Sequence, residues 1–143
     1  PTRRSSDLFV LDLRNDGGGN SLIALPLINQ LKNHSKINNE GNLFMIIGRS
    51  TFSSAILNAV ELKQKTNVIM FGEPTGGKPN HFGEVRRMEL PNSALSISYS
   101  TKYFHWYEPD TDSLYPDVSV RISSDDYFNS IDPVLQSIID YSN

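Results

Sequence analysis

LFVLDLRNDGGGN, Leu8 to Asn20, decides the architecture. It opens with an apolar run, Leu8 to Leu13, broken only by Asp12, which is the pattern of a strand covered on both faces. The run ends in Arg14-Asn15-Asp16 and three glycines, Gly17 to Gly19. A glycine loop between a strand and a helix leaves backbone N–H groups free to meet an oxyanion or a phosphate. A second apolar strand, Leu43 to Ile47 (LFMII), runs through GRST into Ser53 and Ser54 and then a helix. A hydroxyl at a helix N-terminus and a loop of bare amides are the two parts that a nucleophile and an oxyanion hole require.

Outward from those blocks, Asn20 or Ser21 caps a helix running to about His34, with Leu22, Leu25, Ile28 and Leu31 at helical spacing. Pro26 either kinks that helix or marks its first turn. Asn38 to Asn42 reads as a turn, and Ser53 to Lys65 as a helix with Ala55, Ile56, Ala59, Val60 and Leu62 inward. Val68 to Phe71 is a third short strand. The order β-α-β-α-β requires an α/β fold with a mainly parallel sheet and right-handed crossovers. The glycine- and proline-rich loop Gly72 to Asn80 (GEPTGGKPN) then changes the texture. Glu84 to Leu90 and Leu95 to Ser100 alternate around Pro91-Asn92-Ser93, as a β-hairpin does. Tyr103 to Tyr107 reads as an aromatic strand, and Val118 to Ile122 as another. Ser124 caps a short turn, and Asp132 and Pro133 open a final amphipathic helix carrying Val134, Leu135, Ile138 and Ile139.

The 143 residues fit one domain. A formal net charge of −3 with scattered basic residues argues against a nucleic-acid face. No apolar run approaches the ~20 residues of a membrane span. With no cysteine, a thiol nucleophile and a thiolate metal site are excluded. No histidine-carboxylate cluster has metal spacing, so neither metal nor cofactor is expected. Pro1 to Asp7 (PTRRSSD), running into Leu8, matches one reading frame of a short-read sequencing adapter. As such a non-native segment, or as a natural polar linker, it is set apart from the domain spanning residues 8 to 143.

Ser53 is the candidate nucleophile, although Ser50, Thr51, Ser53 and Ser54 would equally serve as helix caps. Lys78 could act as a base if partly desolvated, because burial lowers a lysine pKa. His81 and His105 are further candidate bases, with His105 read as a packed ring and His34 as a complement to a helix dipole. Glu108, Asp110 and Asp112 fall in a polar turn where one acid could orient a base. The hairpin and the aromatic strand are candidate walls for an extended peptide.

The blocks VLDLRNDGGGN, GRSTFSSA and GEPTGGKPN, in that order, resemble the tail-specific or C-terminal processing serine peptidases and the related tricorn core domain. That resemblance covers nearly all of Leu8 to Asn143, including YPDVSV (Tyr115 to Val120). It implies a crotonase-like (ClpP-like) fold, truncated at its N-terminal side, and serine endopeptidase activity on extended or C-terminal peptide segments. The bacterial cell surface or the space outside the cytoplasm is the location it implies. The nucleophile then falls on Ser53, and the oxyanion hole on the amide of Ser54 and a glycine of the triple, Gly18 foremost with Gly17 and Gly19 beside it.

Processing peptidases place a lysine base where Lys78 stands, but their glutamine four residues on is Phe82 here. In the tricorn-like branch the base is a histidine upstream of the LDLRN strand. A supporting acid falls near Asp110, with Glu108 as the alternative. The family's glutamate after the SSA block is Ile56 here. The rival reading is a non-catalytic peptide- or ligand-binding domain of the same fold, of which interphotoreceptor retinoid-binding protein is an example, or a fragment inactive because its general base is missing. A crotonase-type acyl-CoA enzyme is a third.

Overall fold

A computed structural model describes residues 8–142; the adapter-like segment lies outside them. Four parallel strands form the sheet, in the order β1 (Phe9–Asp12), β2 (Leu43–Ile47), β3 (Ile69–Gly72), β6 (Val118–Ser119). β1 leads through a single 3₁₀ turn (Ser21–Ile23) into α1 (Leu25–Asn33), and α2 (Ser54–Lys65) joins β2 to β3. The sheet order advances one strand at each crossover. A constant right hand then lays both helices on the same face.

The core divides accordingly. On that face Leu43, Met45 and Ile47 meet Ile28 and Leu31 of α1 and Ile56, Ala59 and Val60 of α2. On the other face Phe44, Ile46 and Phe71 meet Val134 and Ile138 of α4 (Pro133–Ser142). Successive β2 residues alternate between the two clusters, so the uninterrupted apolar run LFMII is the signature of a strand buried on both sides. Phe44, Phe71 and Tyr141 complete the second face as an edge-to-face trio with centroids 5.6–6.1 Å apart.

Several elements differ from the sequence expectation. Asn20 caps the 3₁₀ turn, accepting from the Leu22 amide, and α1 begins only at Leu25 with Pro26 in its first turn. β6 stops at Ser119, because the Val120 amide already bonds the carbonyl of Gly72, the last residue of β3. Ser123, not Ser124, caps α3 (Ser124–Phe128). Its hydroxyl accepts from the Asp126 amide while the Asp126 carboxylate accepts from the Ser123 amide, a reciprocal box. The hairpin is longer than its alternation shows, with β4 (His81–Glu89) paired to β5 (Ser96–Phe104). There is no separate aromatic strand. Tyr103 and Phe104 end β5, and the chain then leaves the sheet because Asn80 Oδ1 accepts the amides of Trp106 (2.9 Å) and Tyr107 (3.0 Å).

Candidate active site

The three sequence blocks meet at the carboxyl ends of β1, β2 and β3, where open parallel sheets place ligands. The turn after β2 is set by Thr51, which is fully buried. Its Oγ1 donates to the Leu13 carbonyl (2.7 Å) and accepts from the Gly48 amide (3.0 Å). The Phe52 amide donates to the Asp16 carbonyl, 3.1 Å, stitching this loop to the glycine loop. Thr51 is thus a fastener between β1 and β2 and not a helix cap.

Ser53 precedes α2 with φ 53° and ψ −123° and makes no side-chain capping bond. A non-glycine residue at positive φ is strained, and surrounding structure must hold it there. Here α2 begins at once after Ser53, with the Ile56 amide bonded to its carbonyl, 3.0 Å. The hydroxyl is therefore presented at a helix N-terminus without being consumed by it. The capping alternative fails for this serine.

Gly18 lies directly against it. A Cβ on Gly18 would stand 2.7 Å from the Phe52 carbonyl oxygen, 2.8 Å from Ser53 Cβ and 3.0 Å from the Ser54 amide nitrogen, and its φ is +95°. Only glycine fits both the space and the dihedral. The Ser54 amide heads α2, where the helix dipole favours negative charge. The glycine amides are not uniformly bare, however. That of Gly18 donates to Asp16 Oδ1 at 2.9 Å, whereas no hydrogen bond within the described residues engages the amides of Gly17, Gly19 or Ser54.

The third block is laid onto the second at Gly76, whose amide donates to the Thr51 carbonyl (3.2 Å). A Cβ there would sit 2.0 Å from the Arg49 carbonyl oxygen, so the approach demands glycine. Next to it the Gly77 backbone rests on the Phe52 ring. Thr75, 3% exposed, ties this loop to Leu114 through both its amide and its hydroxyl.

Lys78 follows Gly77 but is exposed, so the burial that would make a lysine a base is missing. Asp110 is exposed and accepts from Asn80 Nδ2 at 3.1 Å. Glu108 is paired with His105, Nε2 to Oε1 2.8 Å. His105 is accordingly an exposed ring in contact with the Glu108 carboxylate and not a packed one. His81 Nδ1 lies 2.9 Å from the Lys78 carbonyl, and His34 closes α1 with Nδ1 accepting from the Ile37 amide. Neither acid is hydrogen-bonded to the Ser53 loop.

The residues missed by sequence reading are those that hold the loops. Asn80, 2% exposed, bonds Trp106, Tyr107 and Asp110 at once. Arg14 bridges Asp12 and Asp132, 2.7 and 2.8 Å. Burial pushes the Asp12 carboxyl up, but the Arg14 bonds outweigh it and hold it below the usual range. Asp132 is held down chiefly by the Arg14 guanidinium, which is itself kept firmly charged. Asp132 also accepts the Val134 and Leu135 amides, so this pair anchors α4 to the end of β1. The lone signal for Arg14 was its place in LDLRN. A cavity of about 160 Å³ lies behind both loops, walled by Arg14, Gly48, Arg49, Glu73, Val120 and Val134.

No protein-family model and no curated protein sequence matches the chain. Solved structures do. A Parabacteroides merdae protein assigned as a peptidase superimposes with a TM-score of 0.69 at 18% identity, over 92% of this chain and 50% of its own. A Bacteroides fragilis protein assigned as an S41 protease gives 0.61 at 16%, over 95% and 43%. The tricorn protease gives 0.66 at 16%, over 94% and 15%. The fold is that of the S41 peptidases. This S41-like chain is mixed α/β with a mainly parallel sheet. It spans half or less of the length of each of these three structures. Among the described residues no helix of the S41-like chain is long and apolar enough to cross a membrane.

Proposed function

We propose that this chain is the C-terminal part of the catalytic domain of a serine endopeptidase with the crotonase-like arrangement, acting on extended or C-terminal peptide segments through an acyl-enzyme on Ser53. The observation that carries the reading is the serine at positive φ with an unspent hydroxyl, abutted by a glycine that nothing larger can replace. In the reaction Ser53 Oγ gives its proton to a base and bonds the scissile carbonyl carbon. The oxyanion so formed is met by the Ser54 amide and a glycine-loop amide. Collapse expels the amine, which takes the proton from the base, and water then hydrolyses the ester.

Gly18 can donate to the oxyanion only by giving up its bond to Asp16; Gly17 and Gly19 have no such bond to break. The exposure of Lys78 favours a base from elsewhere, such as a histidine upstream of the LDLRN strand, with Asp110 as its supporting acid and Glu108 as the alternative. Labelling by a fluorophosphonate probe tests this in the protein that carries the chain. Labelling is expected and should vanish in Ser53→Ala, with peptidase activity falling at least about 10⁴-fold. Absence of labelling in the parent protein would overturn the reading. The occupied Gly18 amide and the solvated Lys78 favour one second reading, a peptide- or ligand-binding domain of the same fold that cleaves nothing. It predicts ligand binding with no labelling.

A further inference from the structure

The β4–β5 hairpin is a two-stranded sheet largely bare on both faces. Directly paired residues point the same way, so one face carries, beside Arg86 opposite Tyr99, the apolar Phe82, Met88, Ile97, Tyr99 and Tyr103. Their exposures are 70, 49, 41, 44 and 47%. A lone two-stranded ribbon is marginal in water, and large apolar side chains gathered on one exposed face mark a contact surface.

The two edges differ in chemistry. β4 carries Glu84, Arg86, Arg87 and Glu89, the charges that keep foreign strands away. β5 reads SISYSTKYF, with one charge, no proline and high strand propensity. The bond from the Leu90 amide to the Leu95 carbonyl fixes the phase of the ladder. Alternation from it leaves the N–H and C=O groups of Ser96, Ser98, Ser100 and Lys102 turned away from β4. This is an unguarded pairing edge.

We propose that β5 pairs antiparallel with β5 of a second copy of this chain, two-fold about Ser100. Among the outward-facing residues only Ser100 as centre lets all nine residues of the strand pair. That register sets Ile97 against the partner's Tyr103 and Tyr99 against the partner's Thr101, which joins the two apolar stripes. It sets Lys102 against the partner's Ser98, so the one charge of the strand never faces its own copy. A register centred on Lys102 would oppose two cations. A second copy suits the hairpin better than a peptide held at Ser53, because the pairing edge extends ~30 Å along the ribbon. The contact is smaller than the ~800 Å² per partner of a permanent interface, so a dissociation constant on the order of 10 µM is expected.

Sedimentation of the whole protein tests it. Monomer at about 1 µM and dimer at about 100 µM are expected. Ser100→Lys puts like charges across the two-fold and should weaken the dimer at least about tenfold without moving the thermal midpoint. Mixing Ser100→Lys with Ser100→Glu should restore association. The chain has no cysteine, so oxidised Ser100→Cys should cross-link as a dimer while Arg87→Cys on β4 should not. A parent protein still monomeric at about 100 µM overturns the proposal. So does equal cross-linking from β4. A monomer whose β5 amides gain exchange protection only from added substrate peptide would give the edge to the peptide and likewise overturn it.

Discussion

Every residue of β2, from Leu43 to Ile47, is at most 1% exposed; in β4 only Gly83 is buried. Both are strands of one chain, yet one is enclosed on two faces and the other hangs from its ends. The difference teaches where the candidate chemistry gets its precision. Ser53 and Gly18 sit on short loops fastened to the enclosed sheet by Thr51, Phe52 and Asp16. Strain at Ser53 persists because that sheet cannot yield. The hairpin supplies area and edges instead, and its energetics depend on what covers it.

The largest expected departure from this division is in the core. Phe44→Ala should cost about 3–5 kcal/mol by denaturant unfolding, whereas Met88→Ala on the hairpin should stay within about 0.5 kcal/mol in the monomer. Similar costs for both would erase the contrast. Gly18→Ala comes next: the new methyl must move the Phe52 carbonyl or Ser53, so about 2 kcal/mol and about 100-fold in peptidase turnover should be lost together. Full turnover in that variant would show that Gly18 and Ser53 do not act as a unit.

The Arg14 bridge sharpens the picture through pH. Asp132 and Asp12 have folded pKa values depressed below the ordinary 3.8, so their contribution is complete above that value and is lost as pH falls through the folded values. Asp132→Asn should flatten the acid limb of the stability curve and cost about 1 kcal/mol near neutrality, since the carboxylate is partly solvated. The smallest effect belongs to Lys78→Ala, which should retain turnover within about threefold; a loss beyond about 100-fold would make the exposed lysine the base after all.

The sheet was legible because LFVLDL and LFMII bury both faces, and a strand with no polar face leaves few alternatives. The hairpin was legible as a hairpin but not in length. Tyr103 and Phe104 carry aromatic bulk that suits any strand, and only Asn80, distant in sequence, decides where β5 ends. Within the site, a serine after a strand and a glycine triple before a helix were visible as residue types. The positive φ of Ser53, and the claim of Asp16 on the Gly18 amide, arise from backbone geometry that composition does not encode. The fasteners Thr51, Thr75 and Asn80 were missed because a buried polar side chain announces itself only through its partners.

Asn80 has a mechanical corollary. One primary amide locks the base of a long ribbon to the loop that lies on Phe52. Force or binding at the distant ribbon tip reaches the serine loops through that clasp, beside the covalent run from Gly77 to His81 and the Gln64 bond to the Trp106 carbonyl. An Asn80→Ala chain would keep both ends of the lever and lose the fulcrum.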